Sequence, residues 1–191
     1  MKAFGIIIIV ACLALNIFIG LFLFGKSIET TIANERTSTS TATLSYAAYG
    51  FSMQFPAGYE KMAELPGDNM VDAFAYRNGK AVNPVLQIYV SPNATEADPM
   101  TSQEYKELSS KSITKNTGVE YIDGGIATST QGIKMYYDTI LETDDAAPNK
   151  QKLYTFYING NAIMLLWVDE PGQFDASLPD FEKIVSSVAK I

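Results

Sequence analysis

Histidine is absent from the 191-residue chain, and cysteine and tryptophan occur once each. Without histidine there is no Ser-His-Asp triad, no HExxH metal motif and no histidine metal cluster. The single cysteine, Cys12, lies in an apolar run, so the remainder has no disulfide, no CxxC site and no thiol nucleophile. Basic residues are also scarce: setting aside Lys2 and Lys26 leaves 12 against 21 acidic side chains, a charge of about −9. Such a surface is repelled by nucleic-acid phosphates and anionic lipid headgroups, which excludes nucleic acid as an expected partner and favours a basic protein or a cation.

Charge is missing altogether from Ala3 to Phe24, where 15 of 22 residues are Ile, Leu, Val or Phe. As a helix this run is about 33 Å long, enough to cross a hydrocarbon core of about 30 Å. A transmembrane anchor over residues 1–26 is therefore expected, with the bilayer as its first partner. A cleaved signal peptide would have a shorter apolar core, and the nearest small-residue site, Thr31-Ile32-Ala33, lies well past Phe24. Ile9-Val10-Ala11-Cys12 has the spelling of a lipobox, yet most of the apolar run follows the cysteine. Gly5 before the run is a faint pilin-like start, but Val10 stands where pilins carry an acid. Lys2 and the amino terminus weakly favour a cytoplasmic N-terminus and an extracytoplasmic domain.

Gly5, Cys12, Asn16 and Gly20 are spaced by seven, four and four residues, along one helical face. Small residues let membrane helices approach closely, and an asparagine there hydrogen-bonds a neighbouring helix. This face is the expected contact with a membrane-protein partner or a second copy of the chain. Residues 27–43 follow, rich in Ser and Thr, and read as a linker with too little apolar surface to fold alone.

Residues 44–191 are long enough for one domain with a true core. Phe51, Met53 and Phe55 alternate in a strand that Pro56 ends. Val71–Tyr76 and Pro84–Val90 form a second strand pair around Asn78-Gly79, with Gln87 and Tyr89 expected on a wetter face. Thr101 and Glu104 spell a capping box that opens a helix carrying Tyr105, Leu108 and Ser112. Strands are expected over Val119–Thr128, with a bulge at Gly124-Gly125, and over Ile133–Glu142, after a turn at Gly132. Lys152–Ile158 and Ala162–Val168 flank Asn159-Gly160, the strongest hairpin signal in the chain. The last of these strands is apolar on both faces and so central. A closing helix, with Pro179 in its first turn, would cover it with Phe181, Ile184, Val185, Val188 and Ile191. The class is α+β, an antiparallel sheet with helices packed on its faces.

Tyr49-Gly50-Phe51-Ser52-Met53-Gln54-Phe55-Pro56-Ala57-Gly58-Tyr59 resembles the YGFS(I/F)xYPxGW opening of PsbP-like domains, the family of the photosystem II extrinsic subunit. The aromatic strand Leu153–Ile158, the turn Asn159-Gly160 and the segment Phe181–Ser187 resemble the family's close, FxxIVxSF. Tyr59 stands in place of a tryptophan and Val188 in place of a phenylalanine. The resemblance implies an α/β/α sandwich and an accessory or scaffold role, with no chemistry in its motifs. The metal role proposed for the plant subunit uses histidine, which this chain lacks.

Few chemical candidates are left, and no cofactor is expected. Glu142, Asp144 and Asp145 could offer oxygens to calcium, with Asp169 and Glu170 in another loop, but without EF-hand spacing they read as a solvated acidic loop. Ser112-Ile113-Thr114-Lys115 has the SxxK spelling without its SDN and KTG partners. Tyr136, Tyr137, Tyr154 and Tyr157 would line a pocket if the domain bound a small ligand, although aromatics at strand spacing more often build core. The expected function is a membrane-anchored, non-enzymatic accessory or scaffold protein. A ligand- or cation-binding module is the alternative, and a hydrolase the remote one.

Overall fold

The structure, a computed structural model, describes residues 42–63, 65, 69–76, 85–96, 99–143 and 148–191. The expected anchor, including Gly5, Cys12, Asn16 and Gly20, lies outside the described residues, as do Asn78-Gly79, Asp144 and Asp145. Among the described residues no helix is long and apolar enough to cross a membrane.

Described strands are β1 (Ala42–Tyr46), β2 (Phe51–Phe55), β3 (Tyr59–Lys61), β4 (Met70–Tyr76), β5 (Leu86–Pro92), β6 (Val119–Thr128), β7 (Lys134–Glu142), β8 (Asn149–Ile158), β9 (Asn161–Asp169) and β10 (Ala189–Lys190). Two described helices, α1 (Ser102–Ile113) and α2 (Pro171–Ser186), complete the framework. All strand pairs are antiparallel, but they form two sheets where the sequence pattern suggests one. Seven strands run in the order β3-β4-β5-β9-β8-β7-β6, and a separate three-stranded sheet runs β1-β2-β10. β1 begins at Ala42, so it takes in the last two residues of the expected linker.

The main core lies between the seven-stranded sheet on one side and α2 with the small sheet on the other. Phe51, Met53 and Phe55 of β2 meet Leu86, Ile88, Phe156, Ile163, Leu165 and Trp167 from the large sheet and Phe174, Phe181, Ile184 and Val185 from α2. Each such fully buried side chain contributes roughly 1.5–3 kcal/mol of transfer free energy. β9 sits fourth of seven, between β5 and β8. This central place explains its apolar run, since Ile163, Leu165 and Trp167 face the main core while Met164 joins a second cluster with Met70, Ala73 and Tyr89. Gln87 and Tyr89 are consequently buried too, contrary to the wetter face expected, and the Tyr89 hydroxyl donates to Gln87 Oε1.

The capping box at α1 is complete: Glu104 N–H donates to Thr101 Oγ1, and Thr101 N–H to Glu104 Oε2. Its buried stripe is Tyr105, Ser109 and Ile113, one turn apart, which leaves Leu108 and Ser112 only half-buried. α2 starts earlier than expected. Pro171 takes its first turn, where a missing N–H costs nothing, and Pro179 sits inside the helix. Burial of Phe174, Ser177 and Phe181 on both sides of Pro179 carries the helix through. The apolar stripe also stops short: Val188 is buried beyond the helix, Ala189 and Lys190 pair with Ser52 and Phe51, and Ile191 is exposed. In β6 the register shifts between Tyr121 and Asp123, so the bulge is at Ile122, while Gly124 and Gly125 pair regularly with Asp138 and Tyr137.

Candidate functional site

Strand alternation divides the four tyrosines expected to share a pocket. Tyr137 and Tyr154 are cross-strand partners on the α2 side, their ring centroids 5.5 Å apart. Tyr136 faces the other way, 5.1 Å from Tyr105 of α1 and 6.5 Å from Tyr157. They line no common pocket. The acidic candidates do not converge either: Glu142 is buried and accepts from Asn149 Nδ2, Asp169 accepts from Tyr76, and Glu170 precedes α2 without a side-chain cap. Among the described residues no group of three or more acidic or cysteine side chains could hold a metal ion. Ser112 is half-buried near the end of α1, and Lys115 is exposed beyond it.

The carboxylates instead hold tyrosines. Among the described residues, seven tyrosine hydroxyls donate to acidic side chains: Tyr46 to Asp72, Tyr59 to Asp180, Tyr76 to Asp169, Tyr105 to Asp138, Tyr136 to Glu96, Tyr137 to Asp123 and Tyr154 to Glu182. Most of these bonds join different layers or strands. Burial raises the phenol pKa values, most strongly where a carboxylate stands beside the ring: Tyr76 is pushed up to about 12, and Tyr46, Tyr59 and Tyr154 higher still. They stay protonated, so their hydroxyls are permanent donors.

Asp138 is the most buried member of this set. Tyr105 donates to its Oδ2 and Ser109 to its Oδ1, both at 2.6 Å, beneath α1. Burial pushes the carboxyl up to about 6 against these two bonds, and the negative charge of Asp123 adds to the rise. Asp123 itself is held low, chiefly by the ammonium of Lys106 at 2.6 Å.

The site that sequence reading missed is an open groove of about 530 Å³ beside the small sheet. Leu44, Tyr46 and Tyr49 line it from β1 and the turn after it, and Leu65, Met70 and Val71 from the strand region opposite. Asp72, 4% exposed, lines it too. Its Oδ2 accepts the Tyr46 hydroxyl at 2.8 Å. Its Oδ1 lies 2.7 Å from Lys61 Nζ, but the approach is ionic rather than directional, and that oxygen has no hydrogen bond. The Lys61 side chain is 60% exposed and reaches the acid from the solvent side. A lone aspartate in the otherwise apolar run Met70-Val71-Asp72-Ala73-Phe74 was the available signal. It shares the inward face with Phe74, where an unpaired charge is costly.

No family model and no curated protein matches the chain. Among solved structures, it is similar to cyanobacterial PsbP (CyanoP) from Synechocystis sp. PCC 6803, with a TM-score of 0.58 at 14% identity over 87% of this chain and 98% of that one. The fold is PsbP-like. LpqN of Mycobacterium tuberculosis, described as involved in cell envelope biogenesis, has a TM-score of 0.53 at 11% identity, covering 78% of this chain and 90% of its own. At such identities the likeness concerns architecture. This fold places Gly50 at the turn between β1 and β2, and buries Phe51 fully in the main core.

Proposed function

We propose that this chain is a membrane-tethered accessory protein whose PsbP-like domain lies outside the cytoplasm and docks onto a protein partner in a membrane complex. The observation that carries this reading is the bonding of the carboxylates. Asp138, Asp169, Asp180 and Glu182 each hold a tyrosine hydroxyl, an architectural use of acids that supports a non-enzymatic reading. The uncharged run Ala3–Phe24 supports the tether. LpqN, a neighbour in fold, is described as involved in cell envelope biogenesis, which accords with a role at a membrane.

The test is purification of the full-length protein from its own membranes in mild detergent, with mass spectrometry of what accompanies it. A stoichiometric membrane protein is expected, and Asn16→Leu with Gly20→Leu should reduce its recovery without changing the melting of the domain. A monomer without a partner, or recovery unaffected by the double substitution, would refute docking through the anchor face.

A further inference from the structure

Resting on the docking reading above, we infer that the groove over Asp72 receives an arginine side chain of the partner polypeptide, and that Lys61 holds the place of that arginine in the free protein. Asp72 is buried and lines the groove, and one of its oxygens has an ionic contact but no hydrogen bond. A guanidinium supplies what the ammonium of Lys61 does not, a rigid planar fork that matches a carboxylate with directional N–H donors. Lys61 is easily displaced, because a mostly exposed lysine gains little from one ion pair and regains side-chain freedom when released. Tyr46 keeps Oδ2 in place during the exchange.

The surroundings select for charge and shape. Leu44, Leu65 and Val71 offer apolar walls to the methylene stem of an arginine and to apolar neighbours in the partner. The chain beyond the anchor carries about −9, which draws a basic segment and repels an acidic one. An anion attracted by Lys61 would have to sit against the buried Asp72 carboxylate. That repulsion decides against an acidic occupant.

The experiment uses the full-length protein in nanodiscs and a fluorescently labelled peptide, Ala-Val-Arg-Val-Ala, with blocked ends. Its control is the same peptide with citrulline, the neutral isostere of arginine, and empty nanodiscs correct for binding to lipid. The arginine peptide should bind at least about tenfold more tightly than the citrulline peptide, the range expected for a charge-assisted pair in a partly desolvated site. Asp72→Asn should remove that difference. Lys61→Ala should tighten arginine binding about threefold or more, because the internal competitor is gone. Equal binding of the two peptides, or weaker binding in Lys61→Ala, would overturn the assignment. Recovery of a membrane partner with Asp72→Asn as with the unaltered chain would also reject the groove while leaving the accessory role intact. Asp72-dependent peptide binding by a protein that brings no membrane partner would do the reverse.

Discussion

The Tyr105 hydroxyl reaches Asp138 Oδ2 across 2.6 Å, and this bond, with that of Ser109 to Oδ1, fastens the buried face of α1 to β7. Both donors come from one helical stripe, and the acceptor is the one acid in the strand run Met135–Leu141. The helix is thus held by a carboxylate that burial makes reluctant to ionise.

A pH dependence follows from that reluctance. Asp138 titrates at about 6 in the folded protein and at about 3.9 in an unfolded chain. Between those values the folded state binds more protons, so this group stabilises the fold most below pH about 4, and the contribution is lost as pH rises through 6. Asp138→Asn, which cannot ionise, should therefore gain on the unaltered protein by about 2 kcal/mol between pH 4.5 and pH 7.5. Urea unfolding of both proteins at the two pH values measures this, and a difference that does not change with pH would refute it. Asp123, whose depressed pKa acts in the opposite direction at lower pH, is present in both proteins.

Phe181 joins the two sides of the main core. Its ring stacks on Trp167 at 5.1 Å and meets Tyr154 edge-on at 5.7 Å, with no exposed surface. Phe181→Ala should cost about 3–5 kcal/mol, a large share of the 5–15 kcal/mol that holds a typical domain together. A loss below 1 kcal/mol in chemical denaturation would mean that α2 is not the cover of this sheet.

Much of this architecture was legible in the sequence because local signals and burial agree there. The Thr101–Glu104 box, the Asn159-Gly160 turn and the two-faced apolar run of β9 each specify their structure within a few residues. The failures have a common cause in long-range contact. Ala189 and Lys190 leave the helical period because β2 offers an edge to pair with. Gln87 looked solvated only because Met70, Ala73 and Met164, which with Tyr89 form the second cluster, lie on other strands. The groove was illegible for the same reason: Tyr46, Lys61 and Asp72 come from three strands, and nothing in their spacing along the chain announces that they meet. Asp72 and Asp138 were nevertheless visible as lone acids in apolar strands, a pattern that calls for a partner before the partner is known.

Gly50 tests the opening motif. It adopts φ +81° after the short turn that joins β1 to β2, and its carbonyl accepts the N–H of Ile191. A β-carbon there would also run into the side-chain amide of Asn159. Because that amide is the end of a side chain it can swing aside, so the left-handed backbone sets the cost, about 1–2 kcal/mol for Gly50→Ala. Thermal melting should show the loss. An unchanged melting temperature would mean that the turn has another conformation.

Gly124 and Gly125 are neighbours in one strand, yet they should respond differently to alanine. At Gly124 the new carbon would lie 2.6 Å from Asp138 Oδ1, which Ser109 pins, and 2.9 Å from the carbonyl oxygen of Tyr137, which belongs to the sheet backbone. Neither can retreat without disturbing the seat of α1, so Gly124→Ala should cost about 1–3 kcal/mol. At Gly125 the closest atom is Ser102 Oγ at 2.6 Å, a hydroxyl free to rotate at the expense of its bond from Ile126 N–H. That exchange should cost no more than about 1 kcal/mol. Unfolding both variants in urea decides the matter: equal losses would mean that the space at Gly124 is not filled by Asp138 and the Tyr121 hydroxyl, and that α1 sits less tightly on β7 than its buried bonds require.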